Sequence, residues 1–490
     1  MHIVSCPSCG AEVKFRSHAA VMAVCEFCRA TLLKDAESVK NLGTMSSVLE
    51  DYSPIQIGTS GIVGGRNFTV IGRIQLRYAQ GMWNEWYVLY GDGGNGWLGD
   101  SSGQFTMTGE RKVQEQLPAF ETLRIAQPVS INGESFLPAE IRSAECIAGQ
   151  GELPFRIGEG WRIRVADLRN GAAFVTLDYT DGEVPLVYAG VAVTLDEMRC
   201  QLLRDEDQVK AGAGRFRGKV AALDCPSCGG AIKYLPGITT TLICPACKAQ
   251  LDASGPQASV LAAGEKMAAM HTTIELGATA NIRGSEHTVI GAMVRATSGT
   301  GASKWTEYLL FSARGGFFWL VETNAGWFQA KVMHRWPQWN PAAGDVARAE
   351  NLDYGKSDSY LATVVAAAGA FNWRVSVGEQ VFVTEYENTS GTLAAETTRE
   401  EMTWSRSTRL AFDQIKTWFG ISPKTVEGAY ETQTKPQGSG TLQKFFWWLL
   451  GLNLIPLIAN FGETALTLLV AMIFIVTLTQ PGDWLDKDQQ

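Results

Sequence analysis

A chain of 490 residues is too long for one domain and suits three or four. Its hydrophobic content of 46% excludes a disordered protein, and its formal net charge of −8 argues against a general nucleic-acid binder, which needs a concentrated basic surface. The 51 glycines and the many aromatics point to short strands and tight turns.

The first residues, Met-His-Ile-Val-Ser, run straight into Cys6 with no signal-peptide pattern. Cys6, Cys9, Cys25 and Cys28 form two Cys-x-x-Cys pairs with fifteen residues between them. Cys225, Cys228, Cys244 and Cys247 repeat the pattern, each 219 residues after its counterpart. Four cysteines so spaced can close a tetrahedral thiolate site around Zn²⁺ with no open position, so two structural zinc ions are expected. Each set opens on Cys-Pro-Ser-Cys-Gly, residues 6–10 and 225–229, and the glycine lets the backbone turn tightly. Short strand-like runs follow at 12–15 and 231–234, which gives zinc ribbons over 1–35 and 225–252. Two disulfides per ribbon, or a redox pair, is the rival reading; spacing and duplication favour a metal, and reduced thiolates imply the cytosol. Cys146 and Cys200 have no histidine nearby and read as buried or spare thiols.

The constant offset marks a tandem duplication. Ile55-Gln-Ile-Gly58 matches Ile274-Glu-Leu-Gly277, and Thr69-Val-Ile-Gly72 matches Thr288-Val-Ile-Gly291. After a three-residue insertion, Trp83-Asn-Glu-Trp-Tyr matches Trp305-Thr-Glu-Tyr-Leu, and Trp97-Leu98 matches Trp319-Leu320. Such runs, bounded by glycine-rich turns, read as antiparallel hairpins, with further strands at 161–168, 172–179, 373–377 and 380–386. The fold class expected is mainly β: two β-rich repeat domains, 53–200 and 273–415, each a β-sandwich or open barrel. Connecting helices are expected at 36–52 and 253–272, centred on 37–49 and 259–270. A charged helix is expected over 195–210, with Thr194 and Glu197 as a capping box, overlapping a linker at 201–224.

Residues 416–444 are rich in Pro, Gly, Ser, Thr and Gln toward their end and read as a flexible tether. Residues 445–479 are nearly all apolar, with Glu463 the only charge, and a polar tail, 480–490, follows. As one helix the apolar stretch would be about 52 Å long against a hydrocarbon core of about 30 Å. It therefore reads as a transmembrane α segment, either a hairpin turning near Asn460 to Glu463 or one span plus an interfacial piece at Trp447 and Trp448; a buried hairpin is the alternative outside a membrane. Lys424, Lys435 and Lys444 precede it and Asp483, Asp486, Lys487 and Asp488 follow, so the expected location is the inner membrane with the bulk of the chain in the cytoplasm.

The Trp-x-Glu-aromatic run, the Trp-Leu run, the preceding Val-Ile-Gly and the later Gly158-Glu159 and Gly378-Glu379 turns resemble a bacterial family named for a domain of unknown function, number 4178. The resemblance covers most of the chain, twice over. It implies a membrane-linked system, since members often pair the domain with zinc ribbons and a hydrophobic tail. It also implies neighbours resembling polyamine-synthesis aminopropyltransferases and decarboxylases, but carries no catalytic residue.

Enzyme motifs are sparse. The five histidines form no metal motif, Gly91-Asp-Gly-Gly-Asn-Gly96 reads as a hairpin turn, and residues 214–219 only faintly resemble a phosphate loop. The informative pair is Trp83 with Glu85, repeated as Trp305 with Glu307. Residues i and i+2 of a strand share a face, and a tryptophan beside a carboxylate suits an ammonium group such as a polyamine. The structural alternative is that each tryptophan fills a core and each glutamate pairs with a nearby arginine or caps a turn. Lys14, Arg16, Arg29 and Lys34 make the first ribbon basic, which a solvated face explains without nucleic acid. The expected function is a membrane-tethered cytoplasmic zinc-ribbon scaffold or sensor, binding a protein, peptide or amine ligand through Trp83, Glu85, Trp305 and Glu307. The alternatives are an accessory or catalytic part of a polyamine-like modification system, and a zinc-ribbon nucleic-acid binder.

Overall fold

Strand-forming runs of Val, Ile, Thr and aromatic residues, broken by glycine turns, make the described residues mainly antiparallel sheet. The computed structural model describes residues 2–17, 19–28, 30–34, 39–44, 53–157, 160–205, 209, 223–225, 227–228, 231–232, 241–244, 246–247, 249–252, 259–262, 272–298 and 302–421.

The first repeat holds eight long strands: β1 (Arg66–Arg77), β2 (Met82–Tyr90), β3 (Asn95–Ser101), β4 (Gln104–Arg111), β5 (Glu134–Leu153), β6 (Arg162–Asn170), β7 (Ala173–Asp178) and β8 (Leu186–Val193). β1 to β4 form one meander and β5 to β8 another; β4 pairs with β8 and β5 pairs back with β1. The result is a closed eight-stranded barrel rather than the expected sandwich or open barrel. The second repeat closes in the same way with β9 (Ser285–Thr297), β10 (Lys304–Ser312), β11 (Gly316–Thr323), β12 (Gly326–Val332), β13 (Leu352–Phe371), β14 (Gln380–Asn388), β15 (Gly391–Thr397) and β16 (Met402–Leu410). Closure leaves no long unpaired edge within either barrel.

The long strands β5 and β13, each of 20 residues, join the parts of each repeat. Along β5 one edge pairs first with β6 and then with the ribbon strand Met22–Val24, while the other pairs with β1. The strands cross tightly at Gly72 and Gly151: a Cβ on Gly72 would fall 1.8 Å from the Glu152 carbonyl, and Gly151 sits at φ +70. Gly291 and Gly369 repeat the crossing in the second half, where Thr241–Ile243 pairs with β13.

Both barrel faces are covered. Ile55 and Met198 pack on the outer side of β2 to β4, against Trp86, Val88 and Leu98. Leu123, Val129 and Phe136 cover the outer side of β6 to β8.

Several helix expectations give way to strands. Val39–Thr44 and Ser259–Ala262, inside the expected connecting helices 36–52 and 253–272, are strands hydrogen-bonded to the ribbon strands Ala30–Lys34 and Gln250–Asp252. The open edge of each ribbon sheet outweighs the weak helical signal of these runs; the remainder of both segments lies outside the described residues. Of the helix expected over 195–210, the described residues form one turn, α1 (Leu195–Met198), and a further helical residue, Val209, whose amide donates to the Asp205 carbonyl. The Thr194–Glu197 capping box of α1 is formed, but Arg199 at φ +47 ends that turn. The strand expected at 373–377 is a loop, because β13 stops at Phe371 and Trp373 turns onto Phe371 and Trp319. A helix, α2 (Phe412–Phe419), occupies the first part of the expected tether 416–444. The segment 445–479 lies outside the described residues, among which no helix is long and apolar enough to cross a membrane.

Candidate functional site

The ribbon cysteines converge. Cys6 Sγ is 3.6 Å from Cys28 Sγ and Cys9 Sγ is 3.7 Å from Cys25 Sγ; the second set gives 3.6 Å for Cys225–Cys247 and 3.8 Å for Cys228–Cys244. All four sulfurs of each set lie within 4.8 Å of one another. These separations are far too long for disulfides, whose sulfurs sit about 2.05 Å apart, and match the edge of a tetrahedron with metal–sulfur bonds of about 2.3 Å. Each Cys₄ group can therefore hold a tetrahedral metal ion. Gly10, at φ +76, donates its amide to the Cys6 carbonyl and forms the expected tight knuckle turn.

Each ribbon is fixed to its barrel differently. In the first, the buried Glu152 carboxylate of β5 accepts from the Arg16 and Ser17 amides at 2.7 and 2.9 Å. In the second, Gln250 donates to the Val375 carbonyl at 2.6 Å.

The Trp-x-Glu pairs point into the barrels. Trp83 Nε1 donates to Glu85 Oε1 at 2.9 Å, and Trp305 Nε1 to Glu307 Oε1 at 2.7 Å. Barrel closure then adds residues that sequence reasoning missed. Glu307 lies 3.5 Å from the Arg295 guanidinium of β9, which also bonds Glu396 of β15 at 3.0 Å. Beside them Tyr360 donates to Glu385 at 2.7 Å. In barrel 2 the glutamate thus has an arginine beside it.

Barrel 1 differs. Arg295 stands opposite Trp305 in the β9–β10 register, and the residue opposite Trp83 is Leu76. Among the described residues no ion pair reaches Glu85. Burial first, then Asp167, and after them Asp100 and Asp178, push its carboxyl up to about 8 against the opposing Trp83 hydrogen bond. Asp167, which accepts from Thr176 at 2.6 Å, is raised to about 6, first by burial and then by Glu140.

A cavity of about 90 Å³ opens beside these carboxylates, lined by Trp83, Glu85, Thr106, Asp167 and Arg169 of barrel 1 and by Met333, Trp336 and Met402 of the second repeat. Gly99 helps to create it, since a Cβ there would lie 2.6 Å from Thr106 Oγ1 and 3.6 Å from the Glu85 carboxylate. Repeat 2 holds the mouth in place: the Trp336 amide donates to the Gly171 carbonyl at 2.9 Å, Arg169 donates to the His334 carbonyl at 3.1 Å, and Arg142 pairs with Glu401 at 2.5 Å. The outer wall of barrel 2 thereby packs over the mouth of barrel 1, with Leu137 and Ala139 joining the cluster around Trp404.

Other sequence features resolve simply. Residues 91–96 include the β2–β3 turn, in which Asp92 accepts the Gly94 amide and pairs with Arg66. Cys146 and Cys200 are thiols that burial pushes up to about 11.

These features define a duplicated closed-barrel protein in which a Cys₄ ribbon docks along the longest strand of each barrel. The model of the domain of unknown function (DUF4178) matches it twice, over 56–194 and 275–412, and the chain belongs to that family. No curated protein and no solved structure matches it.

Proposed function

We propose that the chain is a binding protein, a scaffold or sensor, held at the inner membrane by residues 445–479 with its barrels in the cytoplasm and one structural Zn²⁺ in each ribbon. The observation that carries this reading is the polar cavity inside barrel 1, whose mouth is built by the other repeat. A ligand there touches both halves, so its differential affinity for two packings of the halves biases one over the other. The all-thiolate ribbons support a structural ion: four sulfurs saturate tetrahedral Zn²⁺ and leave no position for a reacting group. Tethering would raise the effective concentration of a bound partner protein at the membrane.

Native mass spectrometry of the full chain, solubilised in detergent and purified from its own host without chelators, tests this. The expected spectrum shows two zinc ions per chain and a retained small molecule or stoichiometric protein. Two zinc ions with nothing retained, together with no thermal shift from any small-molecule library, would remove the binding role. Disulfides in place of zinc would remove the cytoplasmic placement as well.

A further inference from the structure

The two barrels descend from one sequence, so strand register identifies matching interior positions. Glu85 stands opposite Gly99, which stands opposite Thr106. In barrel 2 Glu307 stands opposite Val321, which stands opposite Phe328. With Leu76 matching Arg295, three interior positions differ together: Leu76, Gly99 and Thr106 in barrel 1 against Arg295, Val321 and Phe328 in barrel 2. The acidic positions do not differ in kind. Glu85, Asp167 and Asp178 of barrel 1 answer to Glu307, Glu385 and Glu396 of barrel 2, placed by the same registers. The tryptophan that bonds the first glutamate is present in both.

In barrel 2 this constellation already holds a cation. The Arg295 guanidinium sits between Glu307 and Glu396, with Trp305 fixing the first carboxylate. Barrel 1 keeps the carboxylates and the tryptophan, replaces the arginine by Leu76, and has a cavity beside them that runs to the repeat interface. We propose that barrel 1 binds a small free organic cation, a primary ammonium or a guanidinium, in this cavity, as a free counterpart of the Arg295 guanidinium of barrel 2, with Glu85 and Asp167 as its carboxylate partners and Trp83 positioning Glu85. The inference deepens the binding role above and rests on it.

Charge and size both favour this ligand. Glu85, Asp100, Glu140 and Asp167 outnumber Arg169 in the lining, which disfavours anions, and a cation entering among these carboxylates replaces like-charge repulsion by attraction. A cavity of about 90 Å³ takes a charged head with a few carbons, well above the roughly 10–15 Å³ that one water needs. Met333 and Trp336 of the second repeat line the cavity at the repeat interface, which suits a small free molecule better than a lysine presented by another protein.

The test is a titration of the full detergent-solubilised chain, followed by calorimetry and tryptophan fluorescence. The probes are n-butylammonium and methylguanidinium, with 1-butanol as the neutral control. One-site binding of the cations, at least tenfold tighter than the alcohol, is expected. Glu85→Gln should weaken it at least tenfold, and Leu76→Arg should abolish it by placing barrel 2's own cation in barrel 1. If Leu76→Arg fails to fold, Thr106→Phe, which installs the barrel 2 residue, should abolish binding instead. Arg295→Leu should open a second site for methylguanidinium. Equal binding of cation and alcohol, or cation binding unaffected by Glu85→Gln and Thr106→Phe, overturns the proposal. So does a lysine-containing peptide that binds as tightly as butylammonium. A neutral or anionic molecule retained in native mass spectra, with no response to the cations, would overturn this inference while leaving the binding role intact.

Discussion

In barrel 2 the Arg295 guanidinium lies 3.5 Å from Glu307 and 3.0 Å from Glu396, whereas in barrel 1 the matching position is Leu76 and, among the described residues, no ion pair reaches Glu85. Both barrels therefore hold a tryptophan-bonded glutamate, but among the described residues only barrel 2 pairs it with an arginine. Duplication gives the two copies the same acidic positions, and the difference at the Leu76/Arg295 position leaves barrel 1 without the countercharge that barrel 2 carries there. Burial raises both carboxyls; what differs is that barrel 2 sets a covalently fixed cation against its glutamate, while in barrel 1 burial and neighbouring carboxylates raise Glu85 to about 8 and so favour its protonated form.

The largest effect expected from breaking this contrast is at Arg295. Arg295→Met would leave Glu307 and Glu396 in a buried site without their cation, and removing one partner of a buried pair typically costs about 3–5 kcal/mol. Leu76→Met, a near-isosteric change, should cost less than about 1.5 kcal/mol. Hydrogen exchange along Ser285–Thr297 and Arg66–Arg77 separates the two barrels; equal losses of protection would mean that Arg295 carries no special burden. Adding Glu307→Gln to Arg295→Met should recover part of the loss.

The ribbons offer a second contrast. Glu152→Ala would leave the Arg16 and Ser17 amides without their acceptor, at about 1–3 kcal/mol for buried unsatisfied donors. Exchange of the Met22–Val24 amides should accelerate while the second ribbon, fixed through Gln250, stays protected. No change at Met22–Val24 would show that strand pairing alone holds the first ribbon.

The proton on Glu85 gives a pH test. Its folded pKa, about 8, lies above the ordinary carboxylate value of 4.5, with Asp167, Asp100 and Asp178 all acting to raise it. A raised carboxyl pKa contributes stability that is complete below the unfolded value and lost as pH rises through the folded one. Barrel 1 should therefore lose stability between about pH 4.5 and pH 8, and Glu85→Gln should flatten that part of the profile. Asp167, raised to about 6, should give a smaller fall at lower pH that survives the Glu85 change. A profile for Glu85→Gln that matches wild type would show that Glu85 is ionised in the fold.

The duplication and the Cys₄ sets were legible because cysteine spacing and a constant offset survive any change in packing. So was the Trp-x-Glu pair, since a two-residue step on a strand fixes a shared face. The closed barrel was not. β5 shifts register between Pro138 and Glu140 and again between Cys146 and Ala148, so its 20 residues show no clean alternation. The Leu76/Arg295 difference lay in plain view at the common offset, yet its meaning depends on Glu396, 101 residues beyond Arg295, which only barrel closure brings within reach. The strands at Val39–Thr44 and Ser259–Ala262 were hidden for a related reason: their hydrogen bonds belong to an adjacent ribbon edge, not to any local pattern.

The smallest contrast sits where each barrel ends. The last strand of barrel 1 runs into α1, whose Thr194 side chain accepts the Glu197 amide while Glu197 accepts the Thr194 amide. The last strand of barrel 2 runs into α2, whose N-cap is Ala411, with no side-chain bond and extended backbone angles of −70° and 141°. Both helices bury one apolar anchor, Met198 in the first and Ile415 in the second. Thr194→Ala should cost about 1 kcal/mol, because a lost N-cap leaves a helix amide unpaired. Ala411→Ser should stabilise by about 0.5–1 kcal/mol, because the backbone there already has the conformation that a capping hydroxyl requires. Opposite signs in the denaturation midpoints would show that capping at these two sites is a local choice. The same sign at both would mean that the Met198 and Ile415 anchors, rather than the caps, set the position of each helix against its barrel.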